Sequence, residues 1–140
     1  MSLAAFSHAD VEQFTREFEA QFDAGDAAGM AACYAADAKL LAEDTEPVRG
    51  RAAIAEFWQA AIGQAQAAGA RRTISLDEVT SSGDLGYALG TVTLQLPAAG
   101  GGHPPLPAVI KYATIWQRAA GGRWWLIVDI SNRNPAGRLR

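Results

Sequence analysis

The sequence predicts an α+β fold, on three observations. Helical periodicities come first and strand periodicities last, with no regular alternation between them. The chain has 140 residues, enough for one domain with a buried core. Its last apolar run, Trp124-Trp125-Leu126-Ile127-Val128-Asp129-Ile130-Ser131, is dense enough for a covered strand yet contains a carboxylate. Asp129 is costly there unless it is paired, protonated or lining a cavity.

Ser7 and Asp10 form a capping-box-like start, with Asp in place of the usual Glu or Gln. Val11, Phe14, Phe18 and Phe22 follow at helical spacing, and Gly25 ends that helix. Asp26 can cap a short second helix over roughly Ala27 to Tyr34. A short strand, Ala38 to Ala42, comes next, and Glu43 to Gly50 reads as loop because it carries Pro47 and Gly50. The third helix runs from about Arg51 to Ala68 on a stripe that includes Ile54, Phe57, Trp58, Ala61 and Ile62; Gly69 stops it. Strands are then expected at Arg72–Thr80 and, after a Ser81–Asp84 turn, at Leu85–Leu96. Pro97 to Pro107 is a Gly/Pro-rich loop holding His103. Ala108–Arg118 and Arg123–Asn132 make a closing hairpin across Ala119–Gly122.

Composition excludes several function classes. Formal charge is −3, so nothing electrostatic points to nucleic acid. Cys33 is the sole cysteine and reads as a small helix-face hydrophobe rather than a nucleophile. No apolar run approaches the roughly 20 residues that span a bilayer, and no basic-then-apolar N-terminus suggests a secretory signal. A cytoplasmic protein without membrane partners is expected. No two histidines lie near carboxylates at metal-ligand spacing, so no metal is expected. No Gly-rich phosphate loop follows a strand, since Gly100 to Gly102 precede prolines.

A set of residues carries a family resemblance. Asp23-Ala24-Gly25-Asp26 closes a Phe-rich helix, and Tyr34-Ala35-Ala36-Asp37-Ala38 follows a small one. Pro47-Val48-Arg49-Gly50-Arg51-Ala52-Ala53-Ile54 opens a helix with Phe57-Trp58. Ser82-Gly83-Asp84, Tyr87 to Thr93, Lys111-Tyr112 with Trp116, and Trp125 to Asn132 complete it. In order and spacing these resemble a SnoaL-like member of the nuclear transport factor 2-like superfamily, of the ketosteroid-isomerase-like bacterial kind. The resemblance covers residues 8–134, leaving 1–7 and 135–140 as tails. It implies a cone-shaped barrel of cystatin-like architecture: three N-terminal helices packed on a strongly curved mixed sheet, a pocket between them, and a homodimer through the outer sheet face. It also implies a superfamily of isomerases, cyclases, epoxide hydrolases, dehydratases and non-catalytic domains, so fold alone does not give function.

Strand parity set with the family places Tyr87, Leu89, Thr91 and Thr93 inward, then Tyr112, Thr114 and Trp116, then Trp125, Ile127, Asp129 and Ser131. The outward set is then Trp124, Leu126, Val128, Ile130, Ala113, Ile115, Val92 and Leu94, apolar enough to suggest a homodimer face. Ketosteroid isomerases use a carboxylate base with a Tyr and a protonated Asp as oxyanion donors. The matching positions here fall on Ala42, Phe18 and Thr114, or on Glu43 for the base if the match slips by one. Steroid isomerisation is therefore not expected.

The candidate catalytic residue is Asp129, as acid or base. Its alternative is a structural ion pair with Lys111, Arg133 or Arg49. Candidate substrate-binding residues are Tyr34, Phe57, Trp58, Tyr87, Thr91, Tyr112, Thr114, Trp116, Ile127 and Ser131. Tyr34 could instead pack between helices. His103 could orient an oxygen or sit in solvent, and Glu43, Asp44 and Glu46 could edge the pocket or form a solvated loop. No cofactor is expected. Two functions stay open: a pocket for a small apolar molecule with cofactor-free isomerase, cyclase or dehydratase chemistry, or a non-catalytic dimeric module with a vestigial pocket.

Overall fold

A computed structural model describes residues 3–136. Three helices pack on one curved, mixed, six-stranded sheet. Helix α1, His8–Ala24, starts where expected: the Ser7 hydroxyl accepts from the Asp10 backbone N–H (3.1 Å) and donates to its carboxylate (2.6 Å). It ends at Gly25, whose φ of 76° is the left-handed conformation glycine favours. Helix α2, Ala27–Ala31, is capped by Asp26, whose Oδ1 accepts from the Gly29 N–H at 2.9 Å. It stops short of Tyr34 because Tyr34 opens strand β1, Tyr34–Leu41, opposite Leu126. Strand β2, Val48–Arg49, lies inside the expected loop and pairs with β1. Helix α3 spans Arg51–Ala68 as expected.

Strands β3 (Arg71–Ser82), β4 (Leu85–Gln95), β5 (Ala108–Arg118) and β6 (Trp124–Arg133) form an antiparallel meander. Strand β1 joins β6 in parallel, giving the order β2-β1-β6-β5-β4-β3. The sheet does not close: β2 and β3 are its edges, so the expected barrel is an open, bent sheet. Two one-residue bulges increase local bend and twist. One is Asp77 in β3, between the pairs Leu76–Gly90 and Glu78–Leu89. The other is Ile127 in β6, between Trp116–Leu126 and Ile115–Val128.

These registers correct the expected parity. On β5, Tyr112, Thr114 and Trp116 point inward as expected. Their partners on β4 are Gly90, Ala88 and Gly86, and opposed residues share a face. The inward side of β4 is therefore its small-residue side, continuing into Val92 and Leu94, and Tyr87, Leu89, Thr91 and Thr93 point outward. Bulky aromatics on one strand require small residues on the next. At Gly90 a Cβ would lie 2.5 Å from the Tyr112 hydroxyl, and the Ser75 carbonyl, which cannot swing away, is as close. Gly90→Ala should cost about 1–3 kcal/mol, the usual overpacking range; a melting curve in denaturant measures it.

On β6 the bulge divides the parity. Trp124 and Leu126 are buried inward, at 5% and 1% exposure, while Trp125 and Ile127 lie outward. After the extra residue, Asp129 and Ser131 point inward, and Val128 and Ile130 outward. Of the expected outward set, Trp124, Leu126, Val92 and Leu94 thus belong to the interior. Ahead of α1, Leu3 pairs with Trp124 (3.0 and 2.7 Å) and Phe6 packs on its ring, 4.9 Å between centroids.

Candidate functional site

A cavity of about 630 Å³ lies between α1, α3 and the concave sheet face. Helix α1 supplies Val11, Phe14, Phe18 and Phe22, because its helical stripe faces the sheet. Helix α3 adds Phe57, Trp58 and Ala61. Edge-to-face contacts lock this wall: Phe18 on Trp58 at 5.4 Å and Phe14 on Trp116 at 5.0 Å. The sheet floor is Ile74, Val92, Tyr112, Thr114, Trp116 and Asp129. Leu96 and Leu106, from the two ends of the Gly/Pro loop, also line it. Such a mostly apolar cleft with few polar groups is the common form of a small-molecule site.

Asp129 is the carboxyl on the sheet floor of this cavity. The Tyr34 hydroxyl donates to its Oδ2 at 2.6 Å and accepts from Trp58 Nε1 at 3.1 Å. Tyr34 is fully buried behind the cavity wall, so it orients Asp129 and does not touch the cavity itself. No protein group among the described residues bonds Asp129 Oδ1, which leaves that oxygen for a ligand. Burial pushes the Asp129 carboxyl above the usual aspartate range, opposed by the Tyr34 hydrogen bond and the Arg72 charge. Burial, with the Asp129 charge adding to it, also raises Tyr34 well above its ordinary value, so Tyr34 stays a donor.

The structural ion pair is not formed: among the described residues no cation lies within ion-pair distance of Asp129. Lys111 is turned to the Arg133 carbonyl and the Asn134 side chain, both at 3.3 Å. The charge that does act on Asp129 is Arg72, whose place at a strand start carries no site signal in the sequence.

Of the other expected residues, Phe57, Trp58, Tyr112, Thr114, Trp116 and Ser131 line the cavity. Tyr87, Thr91 and Ile127 do not, for the parity reasons above; the Tyr87 hydroxyl instead donates to Glu78 Oε2 at 2.5 Å on the outer face. Thr114 Oγ1 accepts from Trp116 Nε1 at 3.0 Å, which leaves its proton for a ligand. Phe18, Ala42 and Thr114, where a steroid isomerase would carry its acid–base groups, all line the cavity, as does Glu43. Glu43 is engaged, its Oε1 accepting from the Arg133 backbone N–H at 2.7 Å. His103 is exposed and outside the cavity lining. Cys33 is buried, donates to the Met30 carbonyl at 3.1 Å and has its thiol pushed up by burial, as a packing residue would.

The chain belongs to the SnoaL-like domain family, whose sequence model matches residues 7–127. Solved structures carry the same fold. An NTF2-like protein with a cystatin-like fold from Novosphingobium aromaticivorans superposes with TM-score 0.73 at 18% identity, covering 86% of this chain and 77% of that one. Aln2 from a Streptomyces species gives 0.72 at 21%, covering 90% and 89%. A ketosteroid isomerase-like protein from Erwinia carotovora gives 0.64 at 16%, covering 84% and 89%. At these identities the likeness shows fold alone. No curated protein sequence matches the chain.

Proposed function

We propose that the protein binds a small, largely apolar, oxygen-bearing molecule and transfers a proton to or from it without a cofactor. One observation carries this reading: a carboxyl with one oxygen held by Tyr34 and the other unpartnered, set in an apolar cavity that raises its pKa. Raised carboxyl pKa values in clefts mark proton-transfer groups. Tyr112 and Thr114 would hold the ligand's oxygen, and the phenylalanine wall its body. Isomerisation, cyclisation and dehydration all begin with such a step.

The test is hydrogen–deuterium exchange at the α-carbon of a bicyclic ketone such as tetralone, followed by proton NMR in deuterium oxide. The unmodified protein should accelerate exchange, and Asp129→Asn should lower that acceleration about 100-fold or more. Equal acceleration by the two proteins would overturn the reading.

A second property is supported by a separate observation. Leu85, Tyr87 and Leu89 are exposed at 51%, 36% and 37% on the outer sheet face, beside outward Val128 and Ile130. We propose that this face is covered in a homodimer, as expected for an apolar sheet surface. Light scattering at micromolar concentration should give twice the chain mass, and Leu89→Glu should give the monomer mass. A monomer for the unmodified chain would contradict this.

A further inference from the structure

Arg72 is a charged group in the cavity wall that the proton-transfer reading does not use. It stands on β3 opposite Leu94, on the strand face that turns inward. Its guanidinium carbon lies 4.8 Å from the Phe22 ring centroid and 5.3 Å from that of Trp58, so two aromatic faces hold it. Nη1 is wholly covered and has no acceptor among the described residues. A guanidinium carries five N–H donors and stays charged at any physiological pH. Leaving such donors unmet in an apolar wall is costly.

The nearby carboxylates do not meet them. Glu19 Oε2 accepts from the Ile74 N–H at 2.7 Å, and Glu19 Oε1 from Arg16 at 3.2 Å. Asp129 gives Oδ2 to Tyr34 and forms no ion pair with Arg72. The other groups whose charge reaches Arg72 are the hydroxyls of Tyr34 and Tyr112, both held in the neutral form by burial. Among the described residues the cavity therefore offers a cation that no carboxylate meets directly.

We infer that Arg72 anchors a carboxylate, and that the cavity's ligand is a small carboxylic acid with an apolar, ring-bearing body. The inference rests on the pocket reading above and narrows it to a substrate class. The planar fork of Arg matches the two oxygens of a carboxylate. Phe22 and Trp58, already stacked on the guanidinium, continue as the wall on which the attached rings would pack. One arginine between two aromatic faces suits a singly charged group. A phosphate would call for further cations or a nest of backbone N–H groups.

The test uses benzoic, naphthoic and biphenylcarboxylic acids with their primary amides, titrated calorimetrically at neutral pH. The unmodified protein should bind the best acid at least tenfold more tightly than its amide. Arg72→Gln should abolish that preference, bringing the acid down to the affinity of its amide. Arg72→Lys keeps the charge without the fork and should recover only part of the preference, which keeps the test alive if Arg72→Gln does not fold. Acid and amide bound alike by the unmodified protein would overturn the anchor and leave the pocket reading standing. No binding by any member of the series would overturn both.

Discussion

Leu126→Glu should unfold the protein rather than merely split a dimer. Leu126 is 1% exposed and sits inward, opposite Trp116 and before the bulge at Ile127. Truncating a core Leu to Ala costs about 2–5 kcal/mol. A glutamate there adds the desolvation of a carboxyl with no partner. Against a total stability of about 5–15 kcal/mol for an ordinary domain, the sum is decisive. Val128→Glu, two residues on, should have the opposite character. Val128 lies outward beyond the bulge, so its variant should keep the fold and change only association. Circular dichroism during a urea titration, run on both variants, separates the two cases. A folded Leu126→Glu protein beside an unfolded Val128→Glu protein would show that the bulge does not place the strand as described.

Asp129→Asn should remove a pH-dependent loss of stability. The folded-state pKa of Asp129 is raised, by burial first. Between the unfolded value, about 3.9, and that raised value, the folded chain binds more protons at this site than the unfolded chain. Stability must then fall as pH increases across the interval. Below it both states are protonated, and the contribution is fully present; above it the whole contribution is lost. Asparagine cannot ionise and still offers an oxygen to the Tyr34 hydroxyl. The variant should therefore be at least as stable as the unmodified protein at neutral pH, with an advantage that grows from about pH 4 upward. Paired melting curves across this range measure it. An Asp129→Asn variant that is less stable at neutral pH would mean that the carboxylate serves as the partner of a buried cation.

The fold was legible because its signals are local. Ser7, Gly25, Asp26 and Gly69 cap and stop the helices where the sequence places them. Glycine and proline clusters delimit the last three strands to within a residue or so. Parity was not legible, because it depends on what lies across the sheet. Leu, Thr and Tyr on β4 look like the core side when that strand is read alone. The register shows that Gly86, Ala88 and Gly90 are the inward residues, emptied to admit Trp116, Thr114 and Tyr112. Alternating small residues on one strand and aromatics on the next could have revealed this. The Ile127 bulge left no comparable sign, and it explains why Asp129 reaches the cavity although Trp125 and Ile127 do not. Arg72 was not legible, because an arginine at a strand start does not show which way it faces; only the inward turn of β3 reveals its place beside Phe22 and Trp58.

The central claim is that Asp129 is a proton carrier in an apolar cavity and not half of an ion pair. A carbon-detected NMR titration of the aspartate carboxyl resonances, with Asp129 assigned by its disappearance in Asp129→Asn, tests this most directly. The proton-carrier reading predicts a single midpoint above the aspartate norm of about 3.9, moving further when tetralone occupies the cavity. A midpoint at or below that norm would contradict it.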